Sequence, residues 1–339
     1  MKKSLIVLAA LASVASVASA QSSVTMYGRV DLSVNKGVGQ AAKGLSNGSG
    51  SRLGMRGVED LGGGMSAFFN IEHRFDADTG GSQNFCVTPT GATAAPAGAC
   101  GVANRFWGGR SLVGLQGGFG KVSLGREYTT SFLGSQLVAD PWGWDTVVSG
   151  TPGTGLNQSI TGGGIARVRN DSSVTYNFAA SGFSFGAQIA EATDAINNFQ
   201  TKPYNFAVGY AAGPFSLGLG YEVTGQEAAA KAKWMTLNGS FSLGMVKLGA
   251  FYGKGTTVAN ASHQSYMLTA VAPMGQGELR ASAGKLRNKT ADIDAAKGFA
   301  LGYHYALSKR TTLYTDYVRN TGAGITEKTG YDFGIKHNF

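Results

Sequence analysis

The sequence predicts an all-β protein, a transmembrane antiparallel β-barrel of 16 strands with a long third loop folded into its lumen. The last nine residues, Tyr331–Phe339, alternate apolar or aromatic with polar side chains and end on an aromatic residue. A strand that faces lipid on one side and water on the other has this pattern. After residue 20, no segment has the ~20 uninterrupted apolar residues of a spanning helix. Charged residues make up 14% of the chain, about half the share in a soluble domain. A membrane protein of this composition has to cross the bilayer with strands.

The amino terminus predicts export. Two lysines precede an apolar run over residues 5–17, and the small residues Ala18–Ala20 follow it. We therefore expect residues 1–20 to be a signal peptide that is cleaved before Gln21. The alternative, a membrane anchor, is disfavoured because the run is shorter than the ~20 residues of a spanning helix. Residues 21–339 then form a single barrel domain, located in the outer membrane of a Gram-negative bacterium.

The charge balance is basic. Without the two leader lysines the chain has 27 basic and 20 acidic residues, a net charge of +7. A basic balance can indicate nucleic acid, an anionic surface or anionic solutes. Export excludes nucleic acid, and the basic residues are scattered through strand-like segments. Anionic solutes or an anionic surface remain as the expected partners.

Alternation with a period of two predicts sixteen strands. The clearest is the ninth, where Phe215, Leu217 and Leu219 share one face, and the eighth and fourteenth are equally regular. The predicted strands, in order, span residues 24–34, 50–59, 64–74, 106–116, 120–127, 168–178, 182–191, 204–211, 214–223, 232–242, 245–254, 263–272, 276–286, 297–306, 310–319 and 330–339.

The connections alternate in length, which indicates an up-and-down barrel. Short links such as 60–63, 117–119 and 212–213 alternate with long links rich in Gly, Ser, Asn and Thr. Barrels of the outer membrane have short periplasmic turns and long external loops. An even number of strands places both termini on the periplasmic side, where the first and last strands can pair and close the ring.

The third long connection, from about Tyr128 to Arg167, has roughly forty residues and no clear strand or helix pattern. Loops of this length are usually functional. A barrel of this size leaves a lumen that can hold such a loop.

Cys86 and Cys100 are the two cysteines of the chain, and they flank a segment rich in Pro, Gly, Ala and Thr. In an oxidising compartment we expect them to form a disulfide that closes an exposed loop. Two free thiols are the alternative. No histidine has ligand spacing with them, so a metal site is not predicted.

The chain resembles the general trimeric porins of beta-proteobacteria and Neisseria over its whole length. The resemblance rests on the segments Gln21–Gly28, Ser51–Gly64, Phe119–Arg126 and Leu307–Thr311 and on the terminal Phe339. It implies a sixteen-stranded barrel, a homotrimer embedded in outer-membrane lipid, and a third loop that forms a constriction. It also implies insertion by the barrel-assembly machinery, with Phe339 as the residue needed for assembly.

Alternation assigns charged side chains to the lumen. In the first strand Val24 and Met26 lie on one face and Arg29 on the other; in the second, Leu53 and Met55 put basic residues inward. A charge on the lipid face costs about 2 to 4 kcal/mol at the midplane. The inward assignment is therefore favoured wherever the phase is right.

Five arginines are candidates for a basic wall at the constriction. Arg52 and Arg169 match basic positions of the family, whereas Arg110 stands beside Gly109, where the family usually has a basic residue. The alternative for each arginine is a solvent-exposed charge at the rim of the barrel or in a loop. The candidates are Arg29, Arg52, Arg110, Arg126 and Arg169.

Four acidic residues are candidates for the constriction, three of them opposite the basic wall. Glu72 resembles the acidic constriction residue of the family, and the others belong to the long loop or its approach. A positive wall against a negative loop would set up a transverse field. For Asp140 and Asp145 the alternative is capping within the loop. The candidates are Glu72, Glu127, Asp140 and Asp145.

These observations predict a passive channel for small hydrophilic solutes and ions that prefers anions and needs no cofactor. An outer-membrane barrel enzyme, a phospholipase or protease, is the first alternative. It requires a histidine near a nucleophile or activated water, and no acidic or Ser partner is evident for His263 or His304. The Gly182–Gly186 string fits a nucleophile elbow but lies in an alternating strand. A substrate-specific channel is the second alternative.

Overall fold

A computed structural model of the chain describes residues 23–83, 106–149, 155–191, 202–224 and 231–339. The predicted signal peptide, residues 1–20, and the predicted disulfide partners Cys86 and Cys100 lie outside the described residues. Both therefore stay predictions.

The described residues contain seventeen β-strands in one sheet. Sixteen of them form a closed antiparallel ring, and the short strand β2 extends the first external hairpin by pairing with the upper half of β1. The strands are β1 (Ser23–Lys36), β2 (Gly44–Asn47), β3 (Ser51–Gly62), β4 (Met65–Phe75), β5 (Arg110–Gly117), β6 (Gly120–Tyr128), β7 (Arg169–Ala180), β8 (Phe183–Ala190), β9 (Tyr204–Ala212), β10 (Phe215–Thr224), β11 (Ala232–Leu243), β12 (Val246–Thr256), β13 (Ser262–Met274), β14 (Gly277–Asn288), β15 (Ile293–Ala306), β16 (Thr311–Asn320) and β17 (Thr329–Asn338). The predicted barrel of sixteen strands is confirmed.

The first and last strands close the ring. Arg29 of β1 stands opposite Asn338 of β17, and Gly28 and Phe339 exchange two backbone hydrogen bonds of 3.0 and 3.1 Å. Gly28 also leaves room for the terminal ring, since a Cβ at this position would lie 2.3 Å from Phe339 Cζ. Closure satisfies the backbone groups that an open edge would expose to lipid.

Alternation separates lipid from lumen as predicted. Val24, Met26 and Leu217 are exposed on the outer face, whereas Asp31 and Glu72 are buried on the inner face. Large apolar side chains are exposed on nearly every strand of the ring. Such exposure would be a liability in water and is what a lipid-facing surface requires.

Two strand starts differ from the prediction. β5 begins at Arg110 rather than at residue 106, because Phe106 and Trp107 form a turn. β15 begins at Ile293 rather than at 297, and a register shift beside Arg287 interrupts the alternation there. Because the pairing is irregular there, the first residues of β15 do not show the alternation with a period of two.

The third long connection, here called L3 (residues 129–168), enters the lumen as predicted, but it also contains short helices. These are α1 (Phe132–Gln136, a π-helical turn), α2 (Leu137–Ala139), α3 (Thr146–Ser149) and α4 (Leu156–Gly162). Helices this short are marginal alone and need tertiary contacts. L3 obtains them from the barrel wall, which local sequence does not reveal.

The main apolar cluster of the described residues joins L3 to one side of the barrel. Leu156 and Ile160 of α4 are fully buried, and L3 residues pack with wall residues from β11 to β16 such as Trp234 and Met267. The free lumen is therefore displaced toward the wall of β1 and β3–β7. None of the described helices is both long and apolar enough to cross a membrane.

Candidate functional site

Asp140 holds L3 in its own conformation and does not line the pore. Its carboxylate accepts hydrogen bonds from Ser149 Oγ at 2.6 Å, Asn157 Nδ2 at 2.8 Å and the backbone N–H groups of Trp142 and Trp144 at 3.1 and 2.9 Å. Burial raises the pKa of Asp140, and the bonds from Ser149 and Asn157 oppose that rise. The prediction that Asp140 faces the basic wall is wrong. Asp140 caps groups within L3, which was the alternative.

Polar side chains of the wall fix the outer surface of L3. Trp142 Nε1 donates to Asp316 Oδ1 at 2.7 Å, and the backbone N–H of Val147 donates to Asp332 Oδ2 at 3.1 Å. Trp234 Nε1 of β11 donates to the carbonyl of Thr161 at 2.9 Å. These buried bonds set the distance of L3 from the wall.

Glycines of the wall let the first helical turn of L3 approach the strand backbones. A Cβ at Gly218 would lie 2.8 Å from the carbonyl oxygen of Gly134, and one at Gly186 would lie 2.9 Å from Thr130 Cβ. Cβ atoms do not normally pack this closely, so these two positions require glycine. The close approach leaves the rest of the lumen open.

Where L3 leaves the barrel wall, three arginines gather around one tyrosine at the end of β6. Arg74 Nη2 donates to Tyr128 Oη at 2.7 Å, and Arg169 donates to the same oxygen. The guanidinium groups of Arg169 and Arg110 lie 4.0 and 4.9 Å from the centroid of the Tyr128 ring. An aromatic face attracts cations at these distances. Tyr128 thus supports positive charge from β4, β5 and β7 together.

Glu72 lies within the basic wall rather than across from it. Its Oε1 accepts from Arg74 Nε at 2.7 Å and its Oε2 accepts from Tyr27 Oη at 3.2 Å. A Cβ at Gly109 would lie 2.3 Å from Glu72 Oε1, which explains why position 109 has no side chain. Because strand β4 belongs to the basic wall, Glu72 lies among the arginines, whereas Asp145 approaches from L3.

Glu127 also lies on the basic side, next to the arginine it neutralises. Arg110 Nε donates to Glu127 Oε1 at 2.8 Å, and the backbone N–H of Tyr128 donates to the same oxygen at 2.7 Å. Arg110 points into the lumen with the buried Leu112, as its neighbour on the inner face of β5. Arg110 thus supplies charge to the lumen, partly offset by Glu127.

Asp145 of L3 faces the basic wall. Its Oδ2 lies 3.4 Å from Arg29 Nη1, and the two side chains are 26% and 23% exposed, so both meet pore water. Enclosure in the barrel raises the pKa of Asp145 to about 6, although Arg29, Arg52 and Lys336 act to lower it. L3 therefore meets the basic wall at Asp145.

Arg52 completes the wall above Arg29. It stands opposite Arg29 on β1 and opposite Arg74 on β4 in the register, and its Nε donates to the carbonyl of Gly50 at 3.0 Å. That bond directs the guanidinium group along the inner face. Three arginines from adjacent strands therefore form a continuous row.

Arg126 does not join this row. Its position opposite Ser111, in phase with the exposed Leu124, puts it on the outer face of β6. Arg126 Nη1 forms an ion pair of 2.6 Å with Asp171, and its Nε donates to the carbonyl of Gly108. The prediction that Arg126 lines the constriction is wrong, because alternation along β6 places its side chain on the outer face.

Three participants were missed by the sequence analysis. Arg74 alternates with Glu72 on β4, so the periodicity of this strand would have found it. Lys336 shares the inner face of β17 with Asp332, and the same alternation would have found it. Tyr128 carried no signal, because its role comes from three strands that meet only in the fold.

A model of the Gram-negative porin family matches residues 7–324. The chain belongs to this family. Outer membrane porin protein 32 of Delftia acidovorans is 32% identical over the full length of both chains. An outer membrane porin of Bordetella pertussis is 28% identical, also over both full lengths. The major outer membrane protein P.IB of Neisseria meningitidis is 31% identical over 42% of this chain and 38% of its own. The predicted family and the outer-membrane location are confirmed.

Solved structures show the same fold. The anion-selective porin from Comamonas acidovorans superposes with a TM-score of 0.72 and 27% identity, covering 94% of this porin and all of that chain. A trimer form of OmpT from Vibrio cholerae superposes with a TM-score of 0.68 at 15% identity, covering 94% of this chain and 99% of that one. This porin is therefore an outer-membrane channel protein.

Charge in the passage of the porin is strongly asymmetric. Six basic side chains lie there with four carboxylates, of which Glu72 and Glu127 are already paired with arginines on the same wall. Asp31 is buried and accepts hydrogen bonds from Ser49 and Tyr314, and Asp145 alone of the four approaches from L3. The basic residues are Arg29, Arg52, Arg74, Arg110, Arg169 and Lys336.

Proposed function

We propose that this porin is a passive diffusion channel for small hydrophilic solutes and ions, with a preference for anions. The observation that carries the proposal is the row of basic side chains on β1, β3, β4, β5 and β7, faced from L3 by Asp145. The solved neighbour at 27% identity is itself described as anion-selective.

Electrostatics gives the expected size of the preference. A unit charge a few ångströms from a permeating ion contributes on the order of 1 kcal/mol at dielectric constants between bulk water and a protein surface. Several such charges bias chloride over potassium severalfold and still leave ion exit fast. The negative charge of Asp145 faces the positive basic row at close range, and the field between them also orients dipolar solutes.

Arg52→Glu tests the proposal. Because the change adds negative charge to the middle of the basic row, the chloride-to-potassium permeability ratio should fall severalfold. The reversal potential in a salt gradient across a planar bilayer measures this ratio, and the shift should be largest in dilute salt, where screening is weakest.

Arg56→Glu is the matched control. Arg56 lies on the same strand, nearer the periplasmic end, and its guanidinium group is 5.3 Å from the Tyr27 ring in a more open part of the lumen. Its reversal potential should shift less. A normally inserted Arg52→Glu channel with the wild-type reversal potential in dilute salt would remove Arg52 from the selectivity mechanism.

We further infer that the porin is not an enzyme. His304 does have an acidic partner, contrary to the sequence analysis, since its Nε2 lies 3.1 Å from Asp316 Oδ1. The pair is buried beneath L3, where Trp142 donates to the same carboxylate oxygen. Neither a lipid nor a solute can reach it without removing L3, which argues against the phospholipase or protease alternative.

We also propose a homotrimer inserted by the barrel-assembly machinery. Support for the oligomer comes from the fold neighbour that is described as a trimer form. The narrow passage is complete within one chain, so each copy would conduct independently. Chemical cross-linking of the purified protein should therefore show three copies.

The mature form should start at Gln21 and have a disulfide between Cys86 and Cys100. The intact mass of the protein from outer membranes tests both proposals. It should correspond to residues 21–339 less the two hydrogens that a disulfide removes, and reduction should add 2 Da. A mass that includes Met1 would contradict cleavage, and reaction with maleimide without reductant would contradict the disulfide.

A further inference from the structure

We propose that Tyr128, the last residue of β6, is a specificity-determining residue of the channel. Its hydroxyl group holds the guanidinium groups of Arg74 and Arg169 together and thereby concentrates positive charge on the basic wall. Tyr128 is thus a positioning residue that acts through these two arginines. It accounts for part of the anion preference proposed above, on which this role rests.

The hydroxyl oxygen of Tyr128 is a shared acceptor. It accepts a hydrogen bond of 2.7 Å from Arg74 Nη2 and a second one from Arg169 Nη2. A hydroxyl oxygen has two lone pairs, so two donors match its accepting capacity. Because both donors reach the same oxygen, the two guanidinium groups lie within a few ångströms of each other.

Two guanidinium groups this close need an attractive contact to stay together. Like charges repel at short range, and arginine side chains have many rotamers through which they can separate. Arg52 adds to the repulsion, since it stands directly opposite Arg74 in the register of β3 and β4. Tyr128 supplies the attraction with its hydroxyl group and with its ring, whose centroid lies 4.0 Å from the guanidinium group of Arg169.

Tyr128 orders the arginines without adding a negative charge. The other acceptors of this cluster are carboxylates, since Glu72 pairs with Arg74 at 2.7 Å and Glu127 pairs with Arg110 at 2.8 Å. Each carboxylate offsets part of the positive field in the lumen. A tyrosine hydroxyl ordinarily carries no charge at neutral pH. It therefore fixes the positions of its two donors and leaves their field intact.

Tyr128 is itself fixed by contacts that involve neither of its two donors. Its backbone N–H donates to Glu127 Oε1 at 2.7 Å, and its carbonyl oxygen accepts from Gln188 Nε2 at 3.1 Å. Its ring stacks on Phe132 of L3, with the centroids 5.6 Å apart and the planes at 14°. Phe132 is buried. A fixed acceptor thus meets two long, flexible donors, so Tyr128 sets the positions of the arginines.

Tyr128→Phe separates the hydroxyl group from the ring. The variant keeps the stacking on Phe132 and the backbone hydrogen bonds, and it removes the shared acceptor. The chloride-to-potassium permeability ratio, measured from reversal potentials across a planar bilayer, should fall about twofold in dilute salt, where screening is weakest. Single-channel conductance and the protease resistance of L3 should stay at the wild-type level.

Tyr252→Phe is the matched control. It also removes a hydroxyl group that accepts a hydrogen bond, here from Gln264 Nε2 at 3.0 Å. Tyr252 stands opposite Tyr266, which is exposed on the outer face of the barrel. Residues directly opposite each other in an antiparallel pair lie on the same face. The permeability ratio of this variant should equal that of the wild type.

A double-mutant cycle tests whether Tyr128 acts through Arg169. Arg169→Met removes the charge and all the donors of that side chain. In this background Tyr128→Phe should change the permeability ratio by a smaller factor than in the wild type, because one of its two arginines is already absent. Residues in contact deviate from additivity in this way. Equal factors in the two backgrounds would overturn the proposal.

The wild-type channel and Arg52→Glu distinguish a failure of this role from a failure of the proposed function. A wild-type channel without anion preference would overturn both. If the wild type prefers anions and Arg52→Glu shifts the ratio, an unchanged ratio in Tyr128→Phe overturns only the role of Tyr128. Raised conductance with a protease-sensitive L3 in Tyr128→Phe overturns it as well, since Tyr128 would then act by holding the loop.

Discussion

At the scale of single residues, we predict that Asp145 sets how much of the positive field of the basic wall a permeating ion encounters. Its carboxylate pairs with Arg29 and is also near Arg52, Lys336 and Asp31. As an anion it cancels part of the positive field in the passage. Protonation removes that cancellation and leaves the neighbouring arginines unchanged.

The raised pKa of Asp145, about 6, predicts a pH-dependent selectivity. Above that pH the carboxylate is charged, and as the pH falls through about 6 it becomes neutral, so chloride preference should rise toward pH 5. Asp145→Asn should show the high preference already at pH 7.5, with a flat profile between pH 5 and 8. Reversal potentials across this range measure it, and a wild-type profile without a step near pH 6 would contradict the assignment.

Sequence could place the faces of these residues but not their partners. Alternation correctly put Arg29, Arg52 and Glu72 in the lumen. It could not show that Arg74, Arg110 and Arg169 meet at Tyr128, because the phase of a strand gives neither the height of a side chain nor its partners on other strands. Asp140 and Asp145 are five residues apart in one loop, and only the folded loop distinguishes the buried cap from the pore-facing charge.

At the scale of elements, L3 depends on a few buried polar contacts. Asp140 accepts four hydrogen bonds that join α2, α3 and α4. Removing its carboxylate leaves several buried donors without an acceptor, and each costs about 1 to 3 kcal/mol. The ring of strands does not use these bonds, so the loop should loosen while the barrel stays closed.

Asp140→Ala should therefore raise single-channel conductance and current noise, and L3 should become sensitive to protease. The thermal unfolding of the barrel should change little by comparison. Asp78→Ala, which removes a carboxylate from an exposed turn, is the control and should behave like the wild type. Unchanged conductance with an intact L3 would show that the apolar cluster alone holds the loop.

The strands were predictable and the short elements were not. A strand of ten residues repeats its period several times, so the ends of most strands were found to within one or two residues. β2 has four residues, and the helices of L3 have three to seven. Too few residues repeat for a pattern to form, and distant strands stabilise these elements through contacts such as Trp234 with Thr161.

At the scale of the whole molecule, the two faces of one sheet have separate tasks. The inner face carries the basic wall and the polar groups that hold L3, whereas the outer face carries the exposed apolar side chains that meet lipid. Both depend on the ring being closed in one register. A slip of a single residue between β1 and β17 would turn each inner side chain of one strand outward.

Phe339 pairs with Gly28 where the ring closes, and we predict that its removal impairs closure. Deletion removes the two backbone bonds with Gly28 and the ring that lies over Gly28, whereas Phe339→Ala removes the ring alone. We expect the yield of folded barrel, measured by heat-modifiable electrophoretic mobility after expression and refolding, to fall for both and to fall further for the deletion. His337→Ala, an exposed change two residues earlier, is the control. If refolding from denaturant in lipid is unaffected while yield in cells falls, Phe339 acts as a signal for the assembly machinery. If both stay at the wild-type level, the register is fixed by the ladder from Arg29 to Lys36 without the terminal residue.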